Sequence, residues 1–301
     1  MKRAASSLLW QRAVSSAWRF RTFQRAERLF SRLEAPCVLA RPYCGYQLSL
    51  DVTRSTAHRL LYLEGERFVA ERSIFRSLLK PGMRVVDVGA NVGYYALMIA
   101  RGVGPDGSLL AIEPEPANLE ELTRNVRLNG IENATILPLA CGRADGTARL
   151  RPGMNGRIEL GAGQGSEVTI RSLDSVLDRP VDLIKVDVEG FEGEVLAGAE
   201  RILREQRPDL FVEVHPSFLS PPTTFSGLFA ALDGYSQIRL FAPSSQATLL
   251  SKIIARYKPG GDVRRIGNIA GWVKSCERGE VREPFWVVAR ALPGGPLPWA
   301  P

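Results

Sequence analysis

Hydrophobic positions recur at helix and strand periods from about residue 66 to Val214. Apolar residues between 68 and 79 lie on one helical face, and Pro81-Gly82 ends that helix. Short β-branched runs predict five buried strands, Arg84–Val88, Leu109–Glu113, Thr135–Leu137, Val181–Val188 and Leu210–Val214. Further helices are predicted over Tyr94–Arg101, Pro116–Asn129 and Glu192–Arg204. Strands that alternate with helices indicate an α/β fold with a doubly wound, mostly parallel sheet and helices on both faces.

The remaining segments are predicted from weaker patterns. Gln237–Phe241 and Phe285–Arg290 are predicted strands, which we expect to pair antiparallel at the edge of the sheet. The Gly-rich stretch 142–166 could form a lid or connect strands. We therefore divide the chain into a basic N-terminal arm (1–33), one domain (34–291) and a Pro/Gly-rich tail (292–301) that we expect to be disordered.

The net charge of +7 is concentrated at the start of the chain. Residues 1–33 contain eight basic residues and one acid, so the rest of the chain carries 31 bases and 31 acids and is neutral. A neutral body offers no track for phosphates, which disfavours nucleic acid as a partner. Four cysteines and two histidines in 301 residues also exclude a disulfide scaffold and make a zinc site hard to assemble.

The arm leaves three interpretations open. Its composition, rich in arginine and serine and poor in acids, is typical of a mitochondrial transit peptide if the source is eukaryotic. It equally suits an amphipathic helix that contacts an anionic membrane from the cytoplasm, or a helix packed on the domain. No run of 18 apolar residues occurs in the sequence, so we expect no membrane-spanning helix. No oligomeric state is predicted.

A glycine turn follows the first predicted strand. The segment Asp87-Val-Gly-Ala-Asn-Val-Gly93 joins this strand to a helix, as dinucleotide-binding turns do. It lacks the full G-x-G-x-x-G spacing, and Asp87 would meet a pyrophosphate unfavourably but suits the ammonium of an amino-acid ligand. Glu113, at the end of the second strand, suits both ribose hydroxyls. Together these acids favour S-adenosylmethionine over NAD.

A block of acids follows the fourth strand. Asp187, Glu189 and Glu192 are expected to cluster where a ligand meets its reaction partner, and Asp187 and Glu189 are candidates for a general base. Lys185 is expected to pair with a carboxylate or to contact the neighbouring strand. Three acids could instead bind a divalent cation, but no clear octahedral set is present, so we assign no metal ligand.

Glu213 and His215 stand at alternate positions of the fifth strand, so their side chains point the same way. His215 is a further base candidate, because an unperturbed imidazole titrates near neutral pH. The alternative is a strand-end histidine without a catalytic role.

Taken in order, these motifs resemble the FkbM family of S-adenosylmethionine-dependent methyltransferases over about residues 64–215. The matching motifs are Asp87–Gly93, Ile112–Pro116 with Leu119 and Asn125, Leu173–Ser175, Asp182–Glu192, Val195–Ala199 and Pro208–His215. The resemblance implies a class I methyltransferase fold of Rossmann-like architecture.

The resemblance also implies a function and a set of site residues. The implied activity is O-methylation of a hydroxyl on a sugar, glycan or natural product, with that acceptor as the partner. The methionine end of the cofactor would be lined by Asp87, Gly89, Asn91 and Gly93. Its ribose would contact Glu113, and its adenine would lie near Cys141. Two alternatives remain, an NAD-dependent oxidoreductase and a non-catalytic methyltransferase-like module tethered by the arm.

Overall fold

The computed structural model describes residues 37–40, 45–54, 58, 61–62, 69–150, 158–159, 165–219, 224–243 and 263–291. The arm at 1–33 and the tail at 292–301 lie outside these residues, so the interpretations given for them stay predictions. The chain divides into two compact units, one with the described residues up to Ala70 and the other with those from Glu71 onward.

The strands and helices agree in most places with the predicted elements. The strands are β1 (Cys37–Ala40), β2 (Leu48–Asp51), β3 (Arg84–Val88), β4 (Ser108–Ile112), β5 (Ala134–Leu137), β6 (Ala140–Cys141), β7 (Gly146–Leu150), β8 (Ile158–Glu159), β9 (Ser166–Arg171), β10 (Leu183–Val186), β11 (Asp209–Val214), β12 (Gln237–Pro243), β13 (Val263–Ile266) and β14 (Phe285–Arg290). The helices are α1 (Val69–Leu78), α2 (Tyr94–Val103), α3 (Pro116–Leu128), α4 (Leu173–Val176), α5 (Glu192–Ala197), α6 (Glu200–Glu205), α7 (Phe225–Ala230) and α8 (Ile269–Glu277).

The first unit contains an antiparallel hairpin of β1 and β2. Leu48 and Leu50 are fully buried, whereas Ser49 between them is only partly buried, as the alternation of a strand requires. The carbonyl oxygen of Asp51 lies 2.9 Å from Nδ1 of His58.

The second unit is built on an eight-stranded sheet in the order β13-β12-β14-β11-β10-β3-β4-β5. Strands β5, β4, β3, β10 and β11 are parallel to one another, and β14 pairs antiparallel with both β11 and β12. From β3 the chain first moves outward to β4 and β5, then returns to β10 and continues to β11. Right-handed crossovers in these two directions place helices on opposite faces. The predicted doubly wound sheet with an antiparallel edge is confirmed.

The core explains why these strands read as continuous apolar runs. Every residue of β10 is buried, and so are all but the first residue of β3 and of β11. A strand covered on both faces needs apolar residues at both parities. The same arrangement buries three polar residues of these strands, Asp87, Lys185 and Glu213.

The predicted helix Glu192–Arg204 is wrong as a single element, because the helix is interrupted between α5 and α6. A side chain at Gly198 would approach the carbonyl oxygen of Gly142 to 1.9 Å. The carboxylate of Asp174 accepts hydrogen bonds from the backbone N–H groups of Arg201 and Ile202, at 2.8 and 3.0 Å. Tertiary contact and this cap therefore start a new helix.

The described part of the Gly-rich stretch 142–166 contains two strands, β7 and β8, that were not among the predicted elements. Strands β6, β9, β7 and β8 form a second, four-stranded sheet in that order, whose buried side chains include Ala148, Leu150, Ile158 and Ile170. Strand β13 and helices α7 and α8 were also absent from the predicted elements. Within the residues that the structure describes, no helix is long and apolar enough to cross a membrane.

Candidate functional site

The residues singled out in the sequence meet at the carboxyl ends of β3, β10 and β11. The pairing register places Lys185 of β10 opposite Asp87 of β3 and Phe211 of β11. Because side chains alternate along a strand, Asp187 and Glu213 lie on the same face two residues further on. This is also the edge at which the strand order reverses, where α/β sheets bind ligands.

The glycine turn between β3 and α2 is held by backbone contacts. The N–H groups of Gly89 and Ala90 both donate to the carbonyl oxygen of Ile112, at 2.9 and 3.0 Å. Gly89 has φ +81°, and a Cβ there would lie 1.9 Å from the carbonyl oxygen of Asp187. Asn91 and Gly93 also have positive φ. The turn therefore requires glycine at position 89 and brings its backbone against the end of β10.

Glu113 closes the other side of this turn. Its Oε2 accepts a hydrogen bond from the N–H of Asn91 at 2.8 Å, and its Oε1 accepts from the N–H of Glu115 and the side chain of Asn118. Burial raises the pKa of Glu113 to about 7, against the lowering effect of the hydrogen bonds from Glu115 and Asn91.

A buried set of four polar side chains, which we call the lysine network, lies beneath the turn. It consists of Glu71, Asp87, Tyr95 and Lys185, each no more than 7% exposed. Lys185 Nζ donates to Asp87 Oδ1 at 3.0 Å and lies 4.8 Å from the centre of the Tyr95 ring, and the Tyr95 hydroxyl donates to Glu71 Oε1. The expectation that Lys185 pairs with a carboxylate is confirmed.

Charges inside the lysine network decide the protonation states. Burial alone would lower the pKa of Lys185, but the carboxylates of Asp87, Asp187 and Glu213 outweigh it and raise that pKa. Burial and the neighbouring Glu71 raise the pKa of Tyr95. Lys185 is therefore a cation at neutral pH and Tyr95 a neutral donor.

Next to this network lies a second set, which we call the histidine cluster: Asp187, Glu189, Glu192, Glu213 and His215. His215 Nδ1 is 2.8 Å from Glu192 Oε1, and Nε2 lies 3.6 Å from both Glu189 Oε2 and Glu213 Oε1 and 4.0 Å from Asp187 Oδ1. Asp187 and Glu189 keep side-chain exposures of 14% and 20%, whereas His215, Glu213 and Glu192 are at most 4% exposed. The first two are therefore the members of the cluster that reach solvent.

His215 does not titrate near neutral pH as its residue type suggests. Burial alone would lower its pKa, but the hydrogen bond to Glu192 and the charges of Glu192, Asp187 and Glu213 raise the pKa to about 10. With no cation bound, the imidazole is a positive charge among carboxylates, and it is not the free base at neutral pH.

The structure thus brings together the predicted residues Asp187, Glu189 and His215, and it places Glu113 against Asn91 across the turn. Cys141 is 2% exposed and belongs to the main apolar core, where burial raises its pKa to about 12. Its predicted contact with a cofactor, like the other site assignments, stays a prediction.

Sequence reasoning missed Glu71 and Tyr95, which form a hydrogen bond with each other although they are 24 residues apart in the chain. Glu192, which the sequence placed in the acid cluster, is fully buried. Its Oε1 accepts from the N–H of Gly190 at 2.9 Å in addition to contacting His215. The spacing of Glu192 from Gly190 was the available signal.

The end of β3 and the end of β4 fit an adenosine-bearing ligand. A carboxylate oxygen accepts two hydrogen bonds, so Glu113 Oε2, which accepts one, keeps a lone pair for a ribose hydroxyl. Asp87 Oδ2 has no hydrogen-bond partner among the described residues, although Asp87 itself is fully buried. The glycine turn supplies the close backbone approach that such a ligand needs.

Comparisons with known proteins agree with this assignment. Residues 87–236 match the model of the methyltransferase FkbM domain, about half of the chain. Methyltransferase 1 of Beauveria bassiana (strain ARSEF 2860) is 28% identical over 145 residues, which are 38% of this chain and 58% of that protein. Methyltransferase sdnD of Sordaria araneosa is 28% identical over 179 residues, which are 46% of this chain and 68% of that protein.

Among solved structures, the methyltransferase FkbM of Methylobacillus flagellatus KT aligns at 18% identity with a TM-score of 0.36. The alignment covers 66% of this chain and 48% of that chain. The family match includes the glycine turn, Glu113 and the histidine cluster. The chain therefore belongs to the FkbM family of S-adenosylmethionine-dependent methyltransferases.

Proposed function

We propose that the protein methylates a hydroxyl oxygen of a sugar, glycan or natural product. The observation that carries this proposal is the histidine cluster, in which Asp187 and Glu189 are the partly exposed members beside the glycine turn. An alcohol is a poor nucleophile, so a carboxylate within about 3 Å of its proton is the minimum apparatus for its methylation.

The reaction balances with one proton released. S-adenosylmethionine supplies an electrophilic methyl group, and its transfer to a hydroxyl oxygen leaves a methyl ether, S-adenosylhomocysteine and a proton. A carboxylate of the cluster takes that proton as the new carbon–oxygen bond forms. Since burial among carboxylates raises the pKa of His215 to about 10, Asp187 and Glu189 are the candidates for the base.

The methyl donor would be held by the residues of the turn. The backbone from Gly89 to Gly93 provides the close approach, and Glu113 accepts from the ribose. Asp87 lies behind the turn and is compensated by Lys185, so it acts on the amino-acid end of the donor from behind, through the turn or a water. Family membership disfavours the NAD-dependent alternative.

The first experiment is isothermal titration of the protein with S-adenosylhomocysteine. We expect wild-type protein to bind and Glu113→Ala to lose most of the affinity, because the ribose loses its acceptor. Glu120→Ala, an exposed position on α3, is the matched control and should bind as wild type does. NAD in place of S-adenosylhomocysteine should show no binding.

Acceptors are tested next, with a methyl-labelled donor and a panel of hydroxylated sugars and natural products. Transfer to a hydroxyl that is lost in a double variant, Asp187→Asn with Glu189→Gln, would support the proposal. Binding of the donor without transfer to any acceptor, or a double variant as active as wild type, would favour the non-catalytic alternative.

A further inference from the structure

The histidine cluster has the geometry of a metal site. Asp187 at the end of β10 and the pair Glu213 and His215 at the end of β11 each offer one ligand atom, and these atoms all lie within 4.8 Å of one another. We propose that these three side chains hold one divalent cation of the Mn²⁺ type. The sequence alone offered only the acids after β10; the pairing of β10 with β11 adds an imidazole and a second strand.

The spacing of the ligand atoms supports a common ion. Nε2 of His215 lies 3.6 Å from Glu213 Oε1 and 4.0 Å from Asp187 Oδ1, too far for hydrogen bonds. Two atoms that are each about 2.1 Å from one ion lie about 3.0 Å apart at a right angle and about 4.2 Å apart on opposite sides. The two distances from His215 Nε2 fall between these limits.

The environment of His215 is a second and independent observation. Its side chain is 4% exposed, and its Nδ1 is taken by Glu192 Oε1 at 2.8 Å. Its Nε2 makes no hydrogen bond within the described part of the chain and faces the carboxylates of the cluster at 3.6–4.0 Å. Histidines that bind metals characteristically give their other ring nitrogen to a carboxylate, which orients the ring and its lone pair.

The orienting carboxylate is itself held rigidly. Glu192 is fully buried at the start of α5, and its Oε1 also accepts from the N–H of Gly190. A side chain at Gly190 would lie 2.2 Å from the carbonyl oxygen of Phe218, so the turn admits only glycine. The His215 ring is therefore fixed by a turn that cannot relax, with Phe218 stacked on it.

The charges of the cluster are compatible with a cation. Four carboxylates lie around one imidazole, and Lys185, which is 3.6 Å from Asp187, is bound to Asp87 at 3.0 Å. A divalent ion bound here would add positive charge among these acids, and carboxylate oxygens are ligands that suit Mn²⁺.

The role of the ion rests on the proposed function, whereas its binding does not. An ion at this place coordinates the acceptor hydroxyl and lowers its pKa, as bound metals do for water. Glu189, which is outside the ligand set and 20% exposed on its side chain, then takes the proton. No oxidation or reduction is involved.

Binding is tested with Mn²⁺ alone, on the full chain after treatment with a chelator and without donor or acceptor. Electron paramagnetic resonance of free Mn²⁺ should show one saturable site per chain. Glu213→Gln and His215→Asn should each weaken binding at least tenfold, Glu192→Gln less so, and the exposed control Glu120→Gln not at all. Circular dichroism of each variant checks that it folds.

A second readout does not depend on the variants. Mn²⁺ should raise the melting temperature of wild-type protein at a concentration where Na⁺ has no effect, because a ligand that binds only the folded state stabilises it. The absence of saturable binding to folded wild-type protein overturns the proposal, as does binding that the Glu213 and His215 substitutions leave unchanged. Methyl transfer that persists in the chelator leaves the proposed function intact and removes the metal from it. Mn²⁺ binding without methyl transfer supports the proposed metal site and counts against the proposed function.

Discussion

The lysine network and the histidine cluster are adjacent and equally rich in ionisable groups, yet they are built differently. In the network, Lys185 and Asp87 form a 3.0 Å ion pair with exposures of 1% and 0%. In the cluster, the imidazole Nε2 lies 3.6–4.0 Å from three carboxylates. In the network the cation is paired with a carboxylate and all four side chains are buried, whereas the cluster has four carboxylates around one imidazole and two members that reach solvent. We therefore expect the first to stabilise the fold and the second to be open to a ligand.

Removing the charge of the network should give the largest loss of stability. Lys185→Met leaves Asp87 buried without its cation, and we expect the free energy of unfolding to fall by about 3–5 kcal/mol. Chemical denaturation measures this. The double variant Lys185→Met with Asp87→Asn removes both charges and should recover much of the loss. A double variant less stable than either single one would show that the pair does not act as a unit.

Glu113 is an intermediate case, a buried carboxylate that has hydrogen bonds but no cation. Its pKa of about 7 in the folded protein exceeds the unfolded value of about 4.3, so folding favours the protonated form. This contribution is complete below about pH 4 and is lost as the pH rises to about 7. It amounts to roughly 4 kcal/mol. Glu113→Gln should remove this part of the pH dependence of unfolding, measured by denaturation from pH 4 to 8.

The same titration should act on the donor in the opposite direction. The ionised carboxylate is the better acceptor for ribose hydroxyls, so the affinity for S-adenosylhomocysteine should rise between about pH 6 and 8. Titration calorimetry of wild-type protein against Glu113→Gln checks this. An affinity that falls over this range would exclude the ionised carboxylate as the acceptor.

The smallest effect on stability is expected inside the cluster. Glu189→Gln removes one acid from a set with excess negative charge at a partly exposed position, and it should change the free energy of unfolding by less than about 1 kcal/mol. If Glu189 is the base, kcat should fall by about 10²-fold or more with little change in KM for the donor. A Glu189→Gln variant that is several kcal/mol less stable but keeps the wild-type kcat would reverse the contrast between the two regions.

Much of the parallel sheet was predictable because its strands are buried on both faces. The bounds Arg84–Val88 and Phe285–Arg290 match β3 and β14, and the proline at the start of α3 marks that helix correctly. The missed helices α7 and α8 did carry signals, since Thr224 and Asn268 each cap a helix by accepting from the N–H three residues later. These caps lie in a region whose apolar pattern is weak, so the caps alone were not read as helix starts.

The sequence was sufficient to predict the residues of the candidate site that lie at strand ends. It was not sufficient to predict the helical residues of the lysine network. Asp187, Glu189 and His215 stand out because acids and an imidazole at strand ends break the apolar pattern. Glu71 and Tyr95 occupy ordinary helical positions, and nothing in their spacing indicates that they contact each other. The small sheet was missed because its strands are short and separated by glycines.

By itself the sequence determined the family, the succession of strands and helices along the chain and the residues at the carboxyl ends of the parallel strands. Hydrophobic periodicity, glycine turns and acids at strand ends are local properties of the sequence. The tertiary structure alone decided that Glu192 is buried and that Lys185 belongs to Asp87. It also decided that, with no cation bound, the carboxylates around His215 raise its pKa to about 10. The physical reason is that burial and the distance between charges set these states, and both arise only when β3, β10 and β11 lie side by side.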